Sequence, residues 1–89
     1  MRITYDPAKR AKTLAERGLD FEDAPQVFAG TVADDVAERA GEIRNITAGF
    51  LRGRMVVLVW MLRGETRHII SMRYCHADEQ ALWHQKIGG

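Results

Sequence analysis

The fold is set by one stretch, IRNITAGFLRGRMVVLVWMLRGETRHIISMR, residues 43–73. Long apolar segments in it are separated by two short glycine-containing turns, which is the pattern of strands joined by hairpins. We predict strands over 43–51 and 54–62, joined by a two-residue turn at Arg52-Gly53. A third strand is predicted over 67–73. The stretch therefore predicts an antiparallel meander.

One face of this predicted sheet is apolar. The first turn pairs Leu51 with Arg54, and the second turn pairs Leu62 with Arg67. In this register one face carries eight side chains: Ile46, Ala48, Phe50, Met55, Val57, Val59, Ile70 and Met72. We expect that face to lie against the core.

The opposite face is suited to binding RNA. Side chains alternate along a strand, so Arg67, Ser71 and Arg73 share this face, and the two guanidiniums are about 20 Å apart. Trp60 lies there too and offers a ring for base stacking, although a core position for the same tryptophan is equally compatible with the sequence. We predict that four residues bind RNA: Arg44, Trp60, Arg63 and Ser71.

Helices are predicted on both sides of the meander in the sequence. The first begins with Asp6 as N-cap and Pro7 at the first helical position, and it ends at Gly18. Its expected buried stripe consists of Ala8, Ala11, Leu14 and Ala15.

The remaining elements complete an α+β domain. A second helix is predicted over 22–28, with Pro25 in its first turn and Gly30 at its end. Residues 31–39 are a weak edge strand or irregular, and 77–86 form a closing helix. The expected fold has two N-terminal helices, an antiparallel sheet of three to four strands and a C-terminal helix, with the helices on one side of the sheet.

Composition limits the class of protein. The 89 residues suffice for one domain over 1–89, and 46% hydrophobic with 28% charged residues exclude a largely disordered chain. The longest apolar run, Met55 to Leu62, is too short to span a membrane, and the N-terminus has no signal-peptide pattern. The single cysteine, Cys75, is expected to be a free buried thiol. We expect a cytoplasmic protein.

The charges are segregated along the chain although the net charge is only +1. Residues 16–38 hold seven acids against the single base Arg17, whereas 39–73 hold seven arginines against Glu42 and Glu65. This asymmetry predicts a basic surface for nucleic acid or an acidic partner, and the alternative is an ordinary solvated surface.

At this point the sequence resembles a known family, the BrnT toxins. The similar segments are Tyr5-Asp6-Pro7-Ala8-Lys9-Arg10, Gly18-Leu19-Asp20-Phe21 with Ala24 and Val27-Phe28, Gly41-Glu42-Ile43-Arg44, Gly49-Phe50, and Arg67 to Arg73 with Glu79. The isoleucine-serine-x-arginine core followed by this glutamate is the most specific of them. Where the family usually has a lysine-histidine pair, this chain has Glu16-Arg17, and Gln80 and Trp83 replace an arginine and a tyrosine.

The resemblance implies a fold similar to RelE toxins and an activity. BrnT toxins are small bacterial ribonucleases that arrest translation, and a BrnA-type ribbon-helix-helix antitoxin neutralises them. The resemblance therefore implies an RNA substrate, an antitoxin partner, and contact with DNA only through that antitoxin.

Metal-free RNA cleavage needs a base, an acid and a cation that stabilises the phosphorane. The sequence shows no carboxylate cluster or histidine spacing for a metal, so no cofactor is expected. We predict that Arg67 and Arg73 clamp the phosphate, with surface ion pairs as the alternative role for both. Candidates for proton transfer are Glu42, Lys9 and His76, each of which is otherwise a solvated side chain.

Two other functions stay open. The chain could be a binding module of the same fold that has lost its chemistry and acts only with its antitoxin as an operon repressor. It could also be a DNA-associated protein whose activity comes wholly from the partner's DNA-binding domain.

Overall fold

A computed structural model describes residues 1–88 of the chain. These residues form five strands, three α-helices and one 3₁₀ turn, in the order β1 Arg2–Tyr5, α1 Pro7–Arg17, 3₁₀ turn Phe21–Asp23, α2 Ala24–Ala29, β2 Ala33–Arg39, β3 Glu42–Leu51, β4 Arg54–Arg63, β5 Thr66–Tyr74 and α3 Ala77–Gly88. The α+β class is confirmed. No helix within this part of the chain is long and apolar enough to cross a membrane.

The sheet has five strands in the order β1-β5-β4-β3-β2. Strands β2 to β5 form the predicted antiparallel meander, and 31–39 contain the edge strand β2. The prediction of three to four strands was wrong because β1 joins the sheet as well, parallel to β5, with Ile3 paired to Arg67. A four-residue strand that pairs with a distant segment leaves no local turn signal in the sequence.

The predicted register holds across the first turn and fails beyond the second. Leu51 pairs with Arg54 and Leu62 with Arg67, as expected. A β-bulge then interrupts the β4–β5 ladder: Trp60 pairs with Ile69, and Val59 pairs with Ser71. Ile70 is therefore an extra residue in β5, and the pairs predicted for Val59 and Val57 are each displaced by one residue.

The main core lies on the face that was predicted to bind RNA, called here the core face. It contains Val56, Leu58, Trp60, Ile69 and Met72, covered by the 3₁₀ turn and α2. Helix α2 packs close to β3 at Gly49, where an added Cβ would lie 2.7 Å from Val27 Cγ1. The predicted assignment of the two faces was wrong, since the bulge and the helices together place the larger cluster here.

The other face, called here the cleft face, carries a smaller cluster. It comprises Ala48, Met55, Val57 and Cys75, with Ile46 and the α3 residues Trp83 and Ile87 packed against them. Cys75 is the expected free buried thiol. Because α2 lies on one face and α3 on the other, the prediction that helices cover one side of the sheet was wrong.

Helix α1 begins and ends at the predicted residues, but a different side of it faces the sheet. The Asp6 carboxylate accepts a hydrogen bond from the Ala8 amide, and Gly18 ends the helix with φ of 69°. The expected buried stripe was wrong, because no residue of α1 is buried. Polar contacts hold the helix instead: Arg10 pairs with Asp20 at 2.7 Å, and Arg17 Nη1 donates to the Met72 carbonyl at 3.0 Å.

The second helix, predicted over 22–28, is observed as the 3₁₀ turn followed by α2, whereas the closing helix agrees with prediction. Phe21, Ala24 and Val27 are buried, Pro25 lies in the first turn of α2, and Gly30 ends it. The predicted closing helix 77–86 is α3.

Candidate functional site

A cleft lies between α1 and the cleft face of the sheet. It has a volume of about 510 Å³. Its floor is apolar, formed by Ile46 of β3, Val59 of β4 and Ile70 of β5. Its walls are strongly basic, since five of its lining residues are cations: Lys9, Lys12, Arg17, Arg39 and Arg44. Among residues 1–88, Glu16 is the only acid that lines it. This arrangement suits an anionic ligand with apolar rings.

One wall is the polar side of α1. Lys9, Lys12, Thr13 and Glu16 face the cleft at positions i, i+3, i+4 and i+7 of the helix. This spacing places side chains on one face of an α-helix. The helix thus turns its charged side towards the sheet and leaves Leu14 and its alanines exposed.

The other wall comes from β2 and β3. Arg44 pairs across the strands with Ala37, and Arg39 pairs with Glu42, so these side chains share the cleft face. The Arg44 Nε atom is buried and has no hydrogen-bond partner within residues 1–88. Its Nη2 atom lies 3.8 Å from the Glu42 carboxylate, a distance that leaves the guanidinium weakly paired. Arg44 therefore retains the capacity to bind a phosphate oxygen.

A second pocket continues from the cleft past the end of α1. Glu16 and Arg17 line both, and the second pocket adds Arg73, Cys75 and His76. His76 is exposed beside this pocket. The thiol is a poor nucleophile here, because burial raises the pKa of Cys75.

Arg73 is bound by a carboxylate. Its Nη1 and Nη2 atoms donate to Glu79 at 2.7 and 2.8 Å. Glu79 also accepts from the His76 amide at 3.0 Å. The Arg73 pair, followed by this amide, lowers the pKa of Glu79 to about 2. The guanidinium thus fastens α3 to the end of β5, and its ability to clamp a phosphate is reduced.

The expectation that Arg67 and Arg73 share a face was wrong. Arg67 pairs with Leu62 and Arg73 with Val57, and these β4 residues lie on opposite faces of the sheet because they are an odd number of positions, five, apart. The Arg67 guanidinium lies on the core face, 3.9 Å from the Phe28 ring centroid and 4.9 Å from that of Trp60.

Trp60 is a core residue. It is 9% exposed, its ring meets Phe28 edge to face, and its Nε1 atom donates to Thr47 Oγ1 at 2.9 Å. The prediction that this tryptophan stacks on a base was therefore wrong, and the core alternative is confirmed.

The remaining predicted residues divide between the cleft and its surroundings. Lys9, Arg44 and Ser71 line the cleft, and Arg73 and His76 line the pocket beside it. Two residues lie outside both: Glu42 and Arg63 are exposed at strand ends. His68 on β5 is half-buried, and burial, followed by the charges of Arg63 and Lys9, lowers its pKa.

Four charged residues of the cleft were absent from the set predicted from sequence: Lys12, Glu16, Arg17 and Arg39. The spacing of Lys9, Lys12 and Glu16 on α1 was the signal that could have identified three members of the wall. Arg39 carried no such signal, since it approaches the cleft only through the pairing of β2 with β3. Among residues 1–88 no group of three or more histidine, cysteine, aspartate or glutamate side chains is placed to hold a metal ion.

Comparison with known proteins identifies the family. The model of the BrnT family, described as the ribonuclease toxin of a type II toxin–antitoxin system, matches residues 5–79. No curated protein matches the chain significantly. The match runs from the end of β1 into α3 and includes every residue that lines the cleft. The chain therefore belongs to the BrnT family of ribonuclease toxins.

Proposed function

We propose that the chain is an endoribonuclease that cleaves RNA in the cleft between α1 and the sheet, arrests translation, and is neutralised by a BrnA-type ribbon-helix-helix antitoxin. The observation that carries this proposal is the convergence of five cations on a cleft with an apolar floor. Phosphates meet the cationic walls, and a base packs on Ile46, Val59 and Ile70.

In the proposed reaction, the RNA itself supplies the nucleophile. The 2′-hydroxyl attacks the adjacent phosphorus, a base takes its proton, and the P–O5′ bond breaks while an acid protonates the leaving oxygen. The products are a 2′,3′-cyclic phosphate and a 5′-hydroxyl. Arg17 and Arg44 stabilise the extra charge of the phosphorane, because guanidinium donors match phosphate oxygens.

Glu16 is the proposed base and His76 the proposed acid. Both line the pocket that continues from the cleft, and Glu16 forms no ion pair within residues 1–88. Lys9 and Ser71 position the substrate. An acid and a base that act together predict a bell-shaped dependence of kcat/KM on pH.

The test is cleavage of total RNA by the purified chain in the presence of EDTA. We expect cleavage to persist with the chelator, and Arg44→Gln to reduce it by roughly 10²-fold, the effect typical of one lost electrostatic donor. Arg54→Gln is the matched control, since Arg54 stacks on Tyr74 away from the cleft. Thermal melts establish that both variants fold.

The outcomes separate the parts of the proposal. Loss of cleavage on adding EDTA would show that a metal takes part. Equal activity of the Arg44→Gln and Arg54→Gln variants would place the active site outside the cleft.

A second function is favoured by the residues in which this chain departs from its family. Gln80 donates to the Cys75 carbonyl at 3.3 Å and Trp83 packs on the sheet, so both serve structure here. A wild-type chain that folds, binds its antitoxin and cleaves no RNA would be a binding module, contacting DNA only through the antitoxin in a repressor complex.

A further inference from the structure

The core face of the sheet is only partly covered. Helix α2 and the 3₁₀ turn cover one end of it, and three apolar side chains remain exposed at the other: Val36 at 60%, Ile43 at 62% and Leu62 at 56%. Val36 pairs with Asn45, and Asn45 pairs with Trp60, so Val36 lies in the same row as the buried tryptophan. The exposed residues thus extend the core face into solvent.

The next row, meaning the next set of residues paired across the strands on this face, has a charged residue at each end. Arg67 pairs with Leu62, and Glu38 pairs with Ile43. The β3–β4 register continued by two residues beyond Asn45 and Trp60 sets Ile43 opposite Leu62. The row therefore runs from a cation across two exposed apolar side chains to an acid. Three strand spacings separate its ends, about 14 Å.

The Arg67 side chain is fixed in place but has no ion-pair partner within residues 1–88. Its guanidinium is fixed against the rings of Phe28 and Trp60. Its Nε atom is buried without a hydrogen-bond partner, and none of the ion pairs within residues 1–88 includes this residue. A fixed, unpaired guanidinium binds a carboxylate at small entropic cost, and covering it with apolar groups alone would be unfavourable.

We propose that this surface, formed by Val36, Glu38, Ile43, Leu62 and Arg67, docks an amphipathic helix of the antitoxin. Apolar side chains of that helix cover the exposed residues, a carboxylate at one end pairs with Arg67, and a basic residue at the other pairs with Glu38. The 14 Å span corresponds to about nine residues of α-helix. The inference rests on the proposed function for its partner, and it places the partner on the face opposite the cleft.

Self-association fits the surface less well. A second copy that laid its own β2 against this β2 around Val36 would bring Asp34 opposite Glu38, and like charges directly opposite each other are destabilising. A helix with an acidic and a basic end meets no such repulsion. The charge pattern therefore favours a different chain as the occupant.

The experiment is a calorimetric titration with a purified BrnA-type antitoxin, the partner of the proposed function. The double variant Ile43→Ser with Leu62→Ser should weaken binding by at least 100-fold, and Arg67→Gln by at least tenfold. Leu82→Ser is the matched control, because Leu82 is equally exposed on α3, and it should bind as the wild type does. Melting temperatures identify any variant that fails to fold.

Each outcome bears on the proposal separately from the proposed function. Wild-type affinity in the double variant would overturn it, as would loss of binding in Arg44→Gln alone, which would place the antitoxin over the cleft. A dimer of the isolated chain that the double variant dissociates would also overturn it. RNA cleavage by the double variant should remain at the wild-type rate, so failure to dock and failure to cleave are read independently.

Discussion

Ile70 is the residue at which β5 departs from simple alternation. The strand alternates normally from Arg67 to Ile69 on the core face, and the extra residue then returns Ser71 and Arg73 to the cleft face. The bulge cannot be recognised in the sequence, because Ile69 and Ile70 are adjacent and either one could occupy the buried position. The turns and the first register were predictable from local residues, whereas the bulge was not.

Replacement of each isoleucine by aspartate tests which face of the sheet carries the main core. Ile69 is fully buried, so Ile69→Asp places an unpaired carboxylate in the core, at a cost of several kcal/mol against a total stability of about 5–15 kcal/mol. Ile70 borders the open cleft and its cations, so Ile70→Asp should be tolerated much better. Chemical denaturation of both variants measures the difference. A less stable Ile70→Asp protein would place the main core on the cleft face instead.

At the scale of elements, helix ends were predictable and helix orientation was not. Asp6, Pro7 and Gly18 specify the limits of α1 through local hydrogen bonds and backbone geometry. Which side of α1 meets the sheet depends on distant contacts, such as Arg17 with the Met72 carbonyl. Small residues like Ala11 fit solvent and core alike, so the apolar stripe carried little information.

Helix α3 is attached by a pair that depends on pH. Arg73 holds the folded-state pKa of Glu79 at about 2, below its ordinary value of 4.5. A carboxyl whose pKa is lowered on folding stabilises the protein above its unfolded pKa, and that contribution is lost as the pH falls towards the folded value. Asp20 behaves in the same way through Arg10, with a pKa of about 2.

We therefore expect Glu79→Gln to be less stable than the wild type at pH 7 and to lose less stability between pH 4.5 and 2. Urea denaturation at a series of pH values provides the measurement. Glu65→Gln removes an exposed carboxylate in the β4–β5 turn and should follow the wild-type curve. Parallel curves for Glu79→Gln and the wild type would show that folding does not lower the pKa of Glu79.

For the whole molecule, the segregation of charge along the sequence only partly became a segregation on the surface. Of the arginines in residues 39–73, Arg39 and Arg44 enter the cleft. Arg52 pairs with Asp23, and Arg73 pairs with Glu79. The sequence therefore predicted a basic surface, but which residues line the cleft depends on how α1 packs against the sheet.

The salt dependence of RNA binding should show which cations of the cleft contact phosphates. For single-stranded nucleic acid, the logarithm of the binding constant falls with the logarithm of the salt concentration, with a slope of about −0.7 for each phosphate neutralised. The five lining cations therefore allow a slope of up to about −3.5. Lys12→Gln should reduce the magnitude by about 0.7. Fluorescence anisotropy with a 2′-deoxy oligonucleotide, which lacks the attacking hydroxyl, measures this without cleavage. An unchanged slope would place Lys12 outside the binding site, and Arg54→Gln provides the reference.

The parallel pairing of β1 with β5 determines when the cleft can form during synthesis of the chain. β1 has only β5 as a neighbour in the sheet, so it stays unpaired on the nascent chain until residues 66–69 have left the ribosome. At about 5–20 residues per second, that interval lasts several seconds. Helix α1 follows β1 directly and forms one wall of the cleft, so a translating ribosome holds a chain that carries most of the basic residues but no site. The topology thus delays assembly of the cleft until the meander is complete, and a chain that ends before β5 cannot form it.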